Sequence, residues 1–403
     1  VKLAWELCDL KQNVLTRLDN RRAGSRVEIG ISDARRAFCP LSIEDPAFAL
    51  ATPGNTVLRA TLEGPAAFKL PLFIGRVVIP ETKSEPSSEE FGINAVDPLG
   101  YQLERALIRK VTGAIWESLV FTGVDQSLIM WELIAAALAN GTIHGIVKGL
   151  LPASIVRDRT YPPTKEVALA LTQMTEVING PDFMLTPTLA SDGTLATFNT
   201  YYPKLGSDLS ATVKFVHAHA PYTAEGFNLS PAGDDLINRV VAVGAPQQDP
   251  LAESTVGIYP GYIAEVATSI AIYGVLEKRL QLEDVTLVPT LESHAKGEVA
   301  TKAFPVNFFD LTTPAEQAES ETGDGIPPAF GKDYFVGDTI AVETYLGPNE
   351  DEPNLKVTGR ITDAKITENE AGQLSTKLTC APPTAAAVAT GSAITLLIPE
   401  GAA

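Results

Sequence analysis

Two stretches towards the C-terminal end decide how this chain is read: Asp333-Tyr334-Phe335-Val336-Gly337-Asp338-Thr339-Ile340-Ala341-Val342 and Lys356-Val357-Thr358-Gly359-Arg360-Ile361-Thr362-Asp363-Ala364-Lys365-Ile366. In the first, Phe335 and Val336 run into a Gly337-Asp338 turn, after which Ile340 and Val342 alternate with Thr339 and Ala341. In the second, Val357, Ile361 and Ile366 sit in β-branched surroundings of period two. They are expected to be two strands of one small β-barrel. Between them, Gly347-Pro348-Asn349-Glu350-Asp351-Glu352-Pro353-Asn354 is too acidic and too rich in turn formers for a core, and predicts a solvated hairpin connection.

Working outward, residues 1–98 also read as β. Ser25-Arg26-Val27-Glu28-Ile29-Gly30-Ile31 and Thr56-Val57-Leu58-Arg59-Ala60-Thr61-Leu62 alternate, Leu70 to Ile79 is an apolar strand, and Pro40, Pro46, Pro53-Gly54 and Gly64-Pro65 punctuate them. Residues 81–90 read as a polar loop. From Leu99 to about Gly180 the pattern turns helical. Asp125 predicts an N-cap for a helix from Gln126 to Ala139, with Asn140-Gly141 as its stop, and that helix is apolar on nearly every side. A second helix after Pro162-Pro163 places Val167, Leu171, Met174 and Ile178 on one stripe, which reads as core packing. Beyond Pro181 strands return: a hairpin through Ser191-Asp192-Gly193, a strand with Ala211, Val213, Phe215 and His217 on one face, another at residues 238–244, and a helix around 284–300. The expected class is α+β and β-rich, with several small β-barrel or sandwich domains and an inserted helical segment. The divisions fall at 1–98, 99–180, 181–322 and 323–403, the last introduced by Gly323-Asp324-Gly325-Ile326-Pro327-Pro328.

Composition narrows the function classes. The chain has 403 residues, 45% hydrophobic and 20% charged, an ordinary globular mixture. The longest apolar run, residues 128–138, is broken by Glu132 and is shorter than the ~18 residues of a membrane span. Val1-Lys2-Leu3-Ala4-Trp5-Glu6 lacks the basic and apolar regions of a secretory leader. The net charge is −18, and residues 310–370 hold 14 acidic against four basic side chains. Such a balance argues against specific nucleic-acid binding, which needs cations to neutralise phosphates. It fits a surface that lets DNA slide past, or an ordinary solubilising surface.

Little chemistry is offered. Cys8, Cys39 and Cys380 form no CxxC pair and are expected to be buried free thiols. His217-Ala218-His219 would place two rings on one face of a strand, but no third ligand follows at metal-site spacing, so no metal site is assigned. The nucleophile elbow, HExxH, P-loop and dinucleotide motifs are absent, and neither a catalytic residue nor a cofactor is implied.

The order of signals resembles the tail-hub proteins of long-tailed bacteriophages, also called tail-associated or minor tail proteins, of the actinobacteriophage type. The residues that carry the resemblance are Phe73-Ile74-Gly75-Arg76-Val77, Val96-Asp97-Pro98-Leu99, Leu103-Glu104-Arg105-Ala106-Leu107-Ile108 and Val124-Asp125-Gln126. They continue with Ile178-Asn179-Gly180-Pro181-Asp182-Phe183, residues 238–244, Ile272-Tyr273-Gly274-Val275-Leu276-Glu277, Tyr334-Phe335-Val336-Gly337-Asp338 and Gly359-Arg360-Ile361. The resemblance implies a non-enzymatic virion protein at the tail tip, assembled in the host cytoplasm. It implies a homotrimer in which each chain supplies two related β-barrels, so that three chains match a sixfold tail tube or distal tail ring. Its partners would be the distal tail ring protein, the tape measure protein and other tail-tip proteins, with DNA as a passing cargo. With the chain ending at Pro399-Glu400-Gly401-Ala402-Ala403, a bare hub is expected. Trp131, on the all-round apolar helix, is the candidate subunit contact, and Glu350, Asp351 and Glu352 are the lumen candidates. The alternative is a receptor- or carbohydrate-binding tail module.

Overall fold

The computed structural model describes residues 2–85, 88–112, 115–219, 222–232, 235–248, 257–282, 285–304, 306–314, 328–345, 353, 355–369, 371–382 and 394–396. The N-terminal part forms β1 (Lys2–Cys8), β2 (Val14–Arg17), β3 (Ser25–Gly30), β4 (Arg36–Ser42), the single turn α1 (Ala47–Leu50), β5 (Val57–Glu63), β6 (Lys69–Glu85) and β7 (Ser88–Val96). The alternation seen in sequence is the alternation of burial: Val27 and Ile29 are buried, while Arg26 and Glu28 between them face outward. The polar run 81–90, expected to be a loop, instead extends β6 and β7 as a hairpin arm, with Glu81 opposite Gly92 and Glu85 opposite Ser88. A two-stranded arm is held by its backbone ladder, so its sequence needs no apolar period and reads as a loop.

Residues 99–180 mix both structures. They carry β8 (Lys110–Thr112), β9 (Ile115–Glu117), β10 (Leu119–Asp125), α2 (Gln126–Ala139), β11 (Ile146–Lys148), β12 (Val156–Tyr161) and α3 (Val167–Thr175). The helix α2 has the bounds its caps predict. The Asp125 carboxylate accepts from the Ser127 N–H at 2.9 Å, and Gly141, at φ 66°, leaves the helix in a conformation that suits glycine. Ile129, Met130, Leu133 and Ile134 are buried in one cluster with Val167, Leu171 and Met174 of α3, and with Phe183 and Phe198. Those two phenylalanines come from the predicted hairpin, β13 (Asp182–Pro187) and β14 (Ala196–Tyr201), which turns near Gly193 at φ 92°.

The next part holds β15 (Lys214–His217), β16 (Gly226–Ala232), β17 (Arg239–Val243), β18 (Gln247–Gln248), β19 (Gly257–Ile258), β20 (Gly261–Glu265), α4 (Ala267–Tyr273), β21 (Glu277–Gln281) and α5 (Val288–Lys302). The sheet β20-β17-β21 and α5 enclose a small core of Val240, Ala242, Leu291 and Ala295. Helix α5 docks beside the end of α3. Gly297 lies so close to the Glu176 carbonyl that any Cβ there would overlap it, and Arg157 ties the Ser293 hydroxyl (2.8 Å) to the Ile178 carbonyl (2.9 Å).

The last part supplies β22 (Val306–Pro314), β23 (Thr339–Thr344), β24 (Leu355–Glu368), β25 (Leu374–Ala381) and β26 (Ile394–Leu396). The two strands picked out by the sequence are β23 and β24, paired antiparallel with Thr339 opposite Arg360 and Thr344 opposite Leu355. They do not close a small barrel of their own. They belong to an open 14-stranded sheet whose main path runs β16-β22-β25-β24-β3-β4-β7-β6-β5-β1-β2. The link is β24 against β3, with Asp363 opposite Gly30 and Glu368 opposite Ser25. Strands of 1–98 and of 323–403 therefore share both a sheet and one core, which includes Trp5, Phe73, Phe91, Phe215, Phe309 and Ile361. The class remains α+β and β-rich, with sandwich-like packing.

Candidate assembly edges

The long sheet contains the same β unit twice. In the first, β3-β4-β7-β6-β5 are neighbours in that order. In the second, the order is β16-β22-β25-β24-β23, and within each unit the strands follow one another along the chain in the same sequence. Each unit turns on one long strand, β6 or β24, that changes partner half-way. Arg76 pairs with Val57 on β5 and with Val96 on β7, and Arg360 pairs with Thr339 on β23 and with Ala381 on β25. One residue beyond the arginine each ladder has a bulge, between Val77 and Ile79 and between Ile361 and Asp363. Bulges re-aim a strand, and this one falls at the same place in both units.

Side chains repeat with the backbone. Gly75-Arg76 and Gly359-Arg360 occupy the pivot, and each glycine leaves room for a phenylalanine, Phe73 or Phe309. The Arg76 guanidinium donates to the Gly54 carbonyl at 2.7 Å, and that of Arg360 to the Gly337 carbonyl at 3.1 Å. Gly54 and Gly337 both lie at positive φ in the turn before β5 or β23, and their N–H groups donate to Val77 and Ile361, each at 2.8 Å. The preceding strand departs from this match: β1 runs antiparallel to β5, whereas β15 runs parallel to β23.

The two units are joined inside the chain by β24 and β3. Arg21 clamps this junction with a bidentate pair to Glu368, at 3.0 and 2.8 Å, both side chains being largely buried. Across the junction the outward face carries charges of both signs held together: Lys365 to Glu28 at 3.1 Å, Arg26 to Glu28 at 3.4 Å and Lys377 to Asp310 at 2.8 Å. Below it lies a groove lined by Glu28, Asp33, Arg36, Asp363, Lys365 and Lys377. The Asp363 carboxyl is pushed above the usual range by burial, with Asp33 adding to the effect. The equivalent edges, on β6 past its contact with β5 and on β16, are open. Among the described residues, no strand pairs with the outer side of β6 beyond Val77 or with the outer side of β16.

The residues singled out by sequence fall elsewhere. Trp131 is half-buried against its own chain, its ring centroid 6.4 Å from that of Phe198. Glu350, Asp351 and Glu352 lie outside the described residues. The strand ends at His217, and Ala218, at φ 63°, turns the chain, so the two histidines do not share a strand face. The His217 ring lies 3.0 Å from the Thr344 hydroxyl, while His219 stacks on Tyr345 at 4.4 Å. No group of three or more metal-ligating side chains occurs among the described residues. The three cysteines are buried and unbridged, as the sequence suggests, and burial raises the thiol of Cys8 to about 11 and that of Cys39 to about 12. They are thiols rather than nucleophilic thiolates. The resemblance implied two related β units, but sequence reasoning did not find which strands form them or which edges they leave free, although Gly-Arg before a β-branched residue occurs in both long strands.

No protein-family model matches this chain, and no curated protein does. Solved structures do. A tail protein from Neisseria meningitidis MC58 aligns over 98% of this chain and 99% of its own, with a TM-score of 0.56 at 13% identity. The 43 kDa tail protein of prophage MuSo2 from Shewanella oneidensis aligns over 96% and 99%, with 0.54 at 11%. The prophage tail protein gp18 from Listeria monocytogenes EGD-e aligns over 98% and 98%, with 0.51 at 8%. This chain shares the fold of these tail proteins. The likeness extends over nearly the full length of each chain.

Proposed function

We propose that this chain is a structural component of a phage-type tail, a hub at the tail tip that closes into a ring of three copies. The observation that carries the proposal is the internal repeat in a chain with a tail-protein fold. One chain offers two equivalent β units, so three chains offer six, which suits a sixfold tube or distal tail ring on one side and a threefold tip on the other. A ring contact of this kind is head-to-tail, and each copy needs two different complementary surfaces. Trp131 is a further candidate contact, through the part of its indole that the core leaves uncovered.

The partners that follow are the distal tail ring protein, the tape measure protein and other tail-tip proteins, in a virion assembled in the host cytoplasm. If the strands continue edge to edge round the ring, the bulk of each chain lies on the core side of the sheet. The outward face of β25, β24, β3 and β4 is then the one that lines the passage. On that face Lys365, Lys377 and Arg26 are paired with carboxylates, which leaves these three less free to hold DNA phosphates. Nothing in this role requires catalysis.

Light scattering on the purified full chain tests the proposal. A mass of three chains is expected. A protein that remains monomeric at every concentration, or that clears bacterial cell walls in a zymogram and loses this on substitution of one carboxylate, would overturn it.

A further inference from the structure

We infer that the turn leading from α4 into β21 enters the surface of a lipid bilayer. The inference rests on the tail-tip reading above only for where a bilayer is met, and its chemistry stands on the turn itself. From Val266 to Leu276 no residue carries a charged side chain. All of residues 271–276 are exposed, Ile272 at 66% and Val275 at 50%, with Tyr273 and Leu276 beside them. Gly274, at φ 75°, turns the chain at a point where a Cβ would meet no neighbouring atom. Four large apolar side chains thus stand together on a projecting turn, a feature that marks contact with a partner or a membrane.

The backbone favours lipid over protein. A chain that enters hydrocarbon must satisfy its own polar groups, because lipid offers none in return. Here one fully buried side chain serves the turn. The Asn238 Nδ2 group donates to the Gly274 carbonyl at 2.7 Å and to the Ser269 hydroxyl at 3.3 Å, and its Oδ1 accepts from the Leu276 N–H at 2.8 Å. The Leu276 carbonyl accepts from the N–H groups of Asn238 and Arg239 at 3.0 and 3.1 Å, and the Gly274 N–H donates to the Ile270 carbonyl at 2.9 Å. Ser269 is buried and donates to the Ala303 carbonyl. These hydrogen bonds run inward while the apolar side chains face outward. Tyr273 adds a ring with a polar end, which suits the boundary between acyl chains and water.

Charge selects the kind of lipid. Directly behind the turn Arg239 pairs with Glu265 at 2.9 Å and lies 3.9 Å from Glu277, while Lys278 pairs with Glu298 at 2.7 Å. Arg279 is held to the Gln281 amide. These ion pairs leave little cationic charge for an anionic headgroup, and the chain as a whole carries −18. A zwitterionic surface such as phosphatidylcholine therefore fits, in contrast to the anionic surfaces sought by basic amphipathic helices.

Flotation of the purified full chain with phosphatidylcholine vesicles on a density gradient tests the inference. The chain should rise with the vesicles, and admixture of phosphatidylglycerol should lower the bound fraction. Combining Ile272→Ser with Val275→Ser should lower it about tenfold or more, with unchanged far-UV circular dichroism and unchanged light-scattering mass. Leu189→Ser, which alters an apolar side chain exposed elsewhere, should leave it as it was. Ile272→Trp should still float, and its emission should be quenched by lipid brominated in the acyl chains. A chain that floats equally well with both serines binds through another surface and overturns the assignment, as does one that floats only with phosphatidylglycerol. A chain that rises with no vesicle also overturns it, and a light-scattering mass lowered by the two serines would then make the turn a contact between copies. A monomer that floats through this turn keeps the lipid contact and refutes the ring. A trimer that does not float refutes the lipid contact and leaves the ring standing.

Discussion

The two pivot arginines make the same backbone contact in different electrostatic settings. Arg360 adds an ion pair with Asp182, whose carboxylate also takes the Lys204 ammonium at 3.1 Å and the Leu205 N–H at 2.8 Å, and is itself 6% exposed. Among the described residues Arg76 has no ion pair with a carboxylate, and its other arm meets the Nε2 atom of His144. Burial and the nearby Arg76 charge hold the His144 pKa below the usual imidazole value, so the neutral ring accepts. A repeated backbone thus does not imply a repeated energetic role. The second pivot is a buried charged cluster that fails if one member goes, whereas the first is a hydrogen-bonded support.

The largest effect should come from Asp182→Ala, which strands Arg360 in a mostly buried site and should cost about 3–5 kcal/mol in denaturant unfolding. A loss below about 1 kcal/mol would break the comparison. Next come the pivot glycines. A Cβ at Gly75 would strike the Val96 carbonyl and Phe73, while at Gly359 it would meet only the side chains of Phe309 and Cys380. Since backbone yields less readily than side chains, Gly75→Ala should cost about 3 kcal/mol and Gly359→Ala about 1 kcal/mol. Equal costs would show that both sites relax alike.

A smaller effect is pH-linked. Asp97, at the edge of the first unit, is buried and its carboxyl is pushed up to about 6, chiefly by loss of water. The fold favours its protonated form, so this group's contribution is greatest below the unfolded pKa of about 3.9 and is lost as pH rises through about 6. Asp97→Asn should remove about 2 kcal/mol of that slope between pH 4 and 7, and an unchanged slope would assign it to other carboxylates. Smallest of all, His144→Ala should cost less than about 1 kcal/mol, because Arg76 keeps the Gly54 carbonyl.

Local signals were legible where the chemistry is local. Asp125 and Asn140-Gly141 bracket α2 correctly because a cap is made by residues two or three apart. The β13–β14 hairpin was readable for the same reason. The joining of β24 to β3 was not, since no residue near either strand announces a partner more than 300 positions away. The hairpin arm at 81–90 looked like a loop because it lacks an apolar period. The helix that carries Trp131 looks too apolar all round for one small domain to cover, yet much of it is buried with α3 and the β13–β14 hairpin in one cluster. The open edges of β6 and β16 were invisible for a different reason: what marks them is a missing neighbour, which becomes apparent only when the second unit is laid on the first.

The joining of β24 to β3 also sets an order of events during synthesis. At about 5–20 residues per second, β3 leaves the ribosome roughly 20 to 70 s before the strand that will cover it. Throughout that interval its edge is a template open to any strand of suitable register, including β6 or β24 of a chain emerging from a neighbouring ribosome. A chain interrupted before β24 would keep that template permanently, so its predicted fate is aggregation or capture by an intact copy. Completion of the C-terminal strands is therefore the step that covers the β3 edge of a sticky nascent chain.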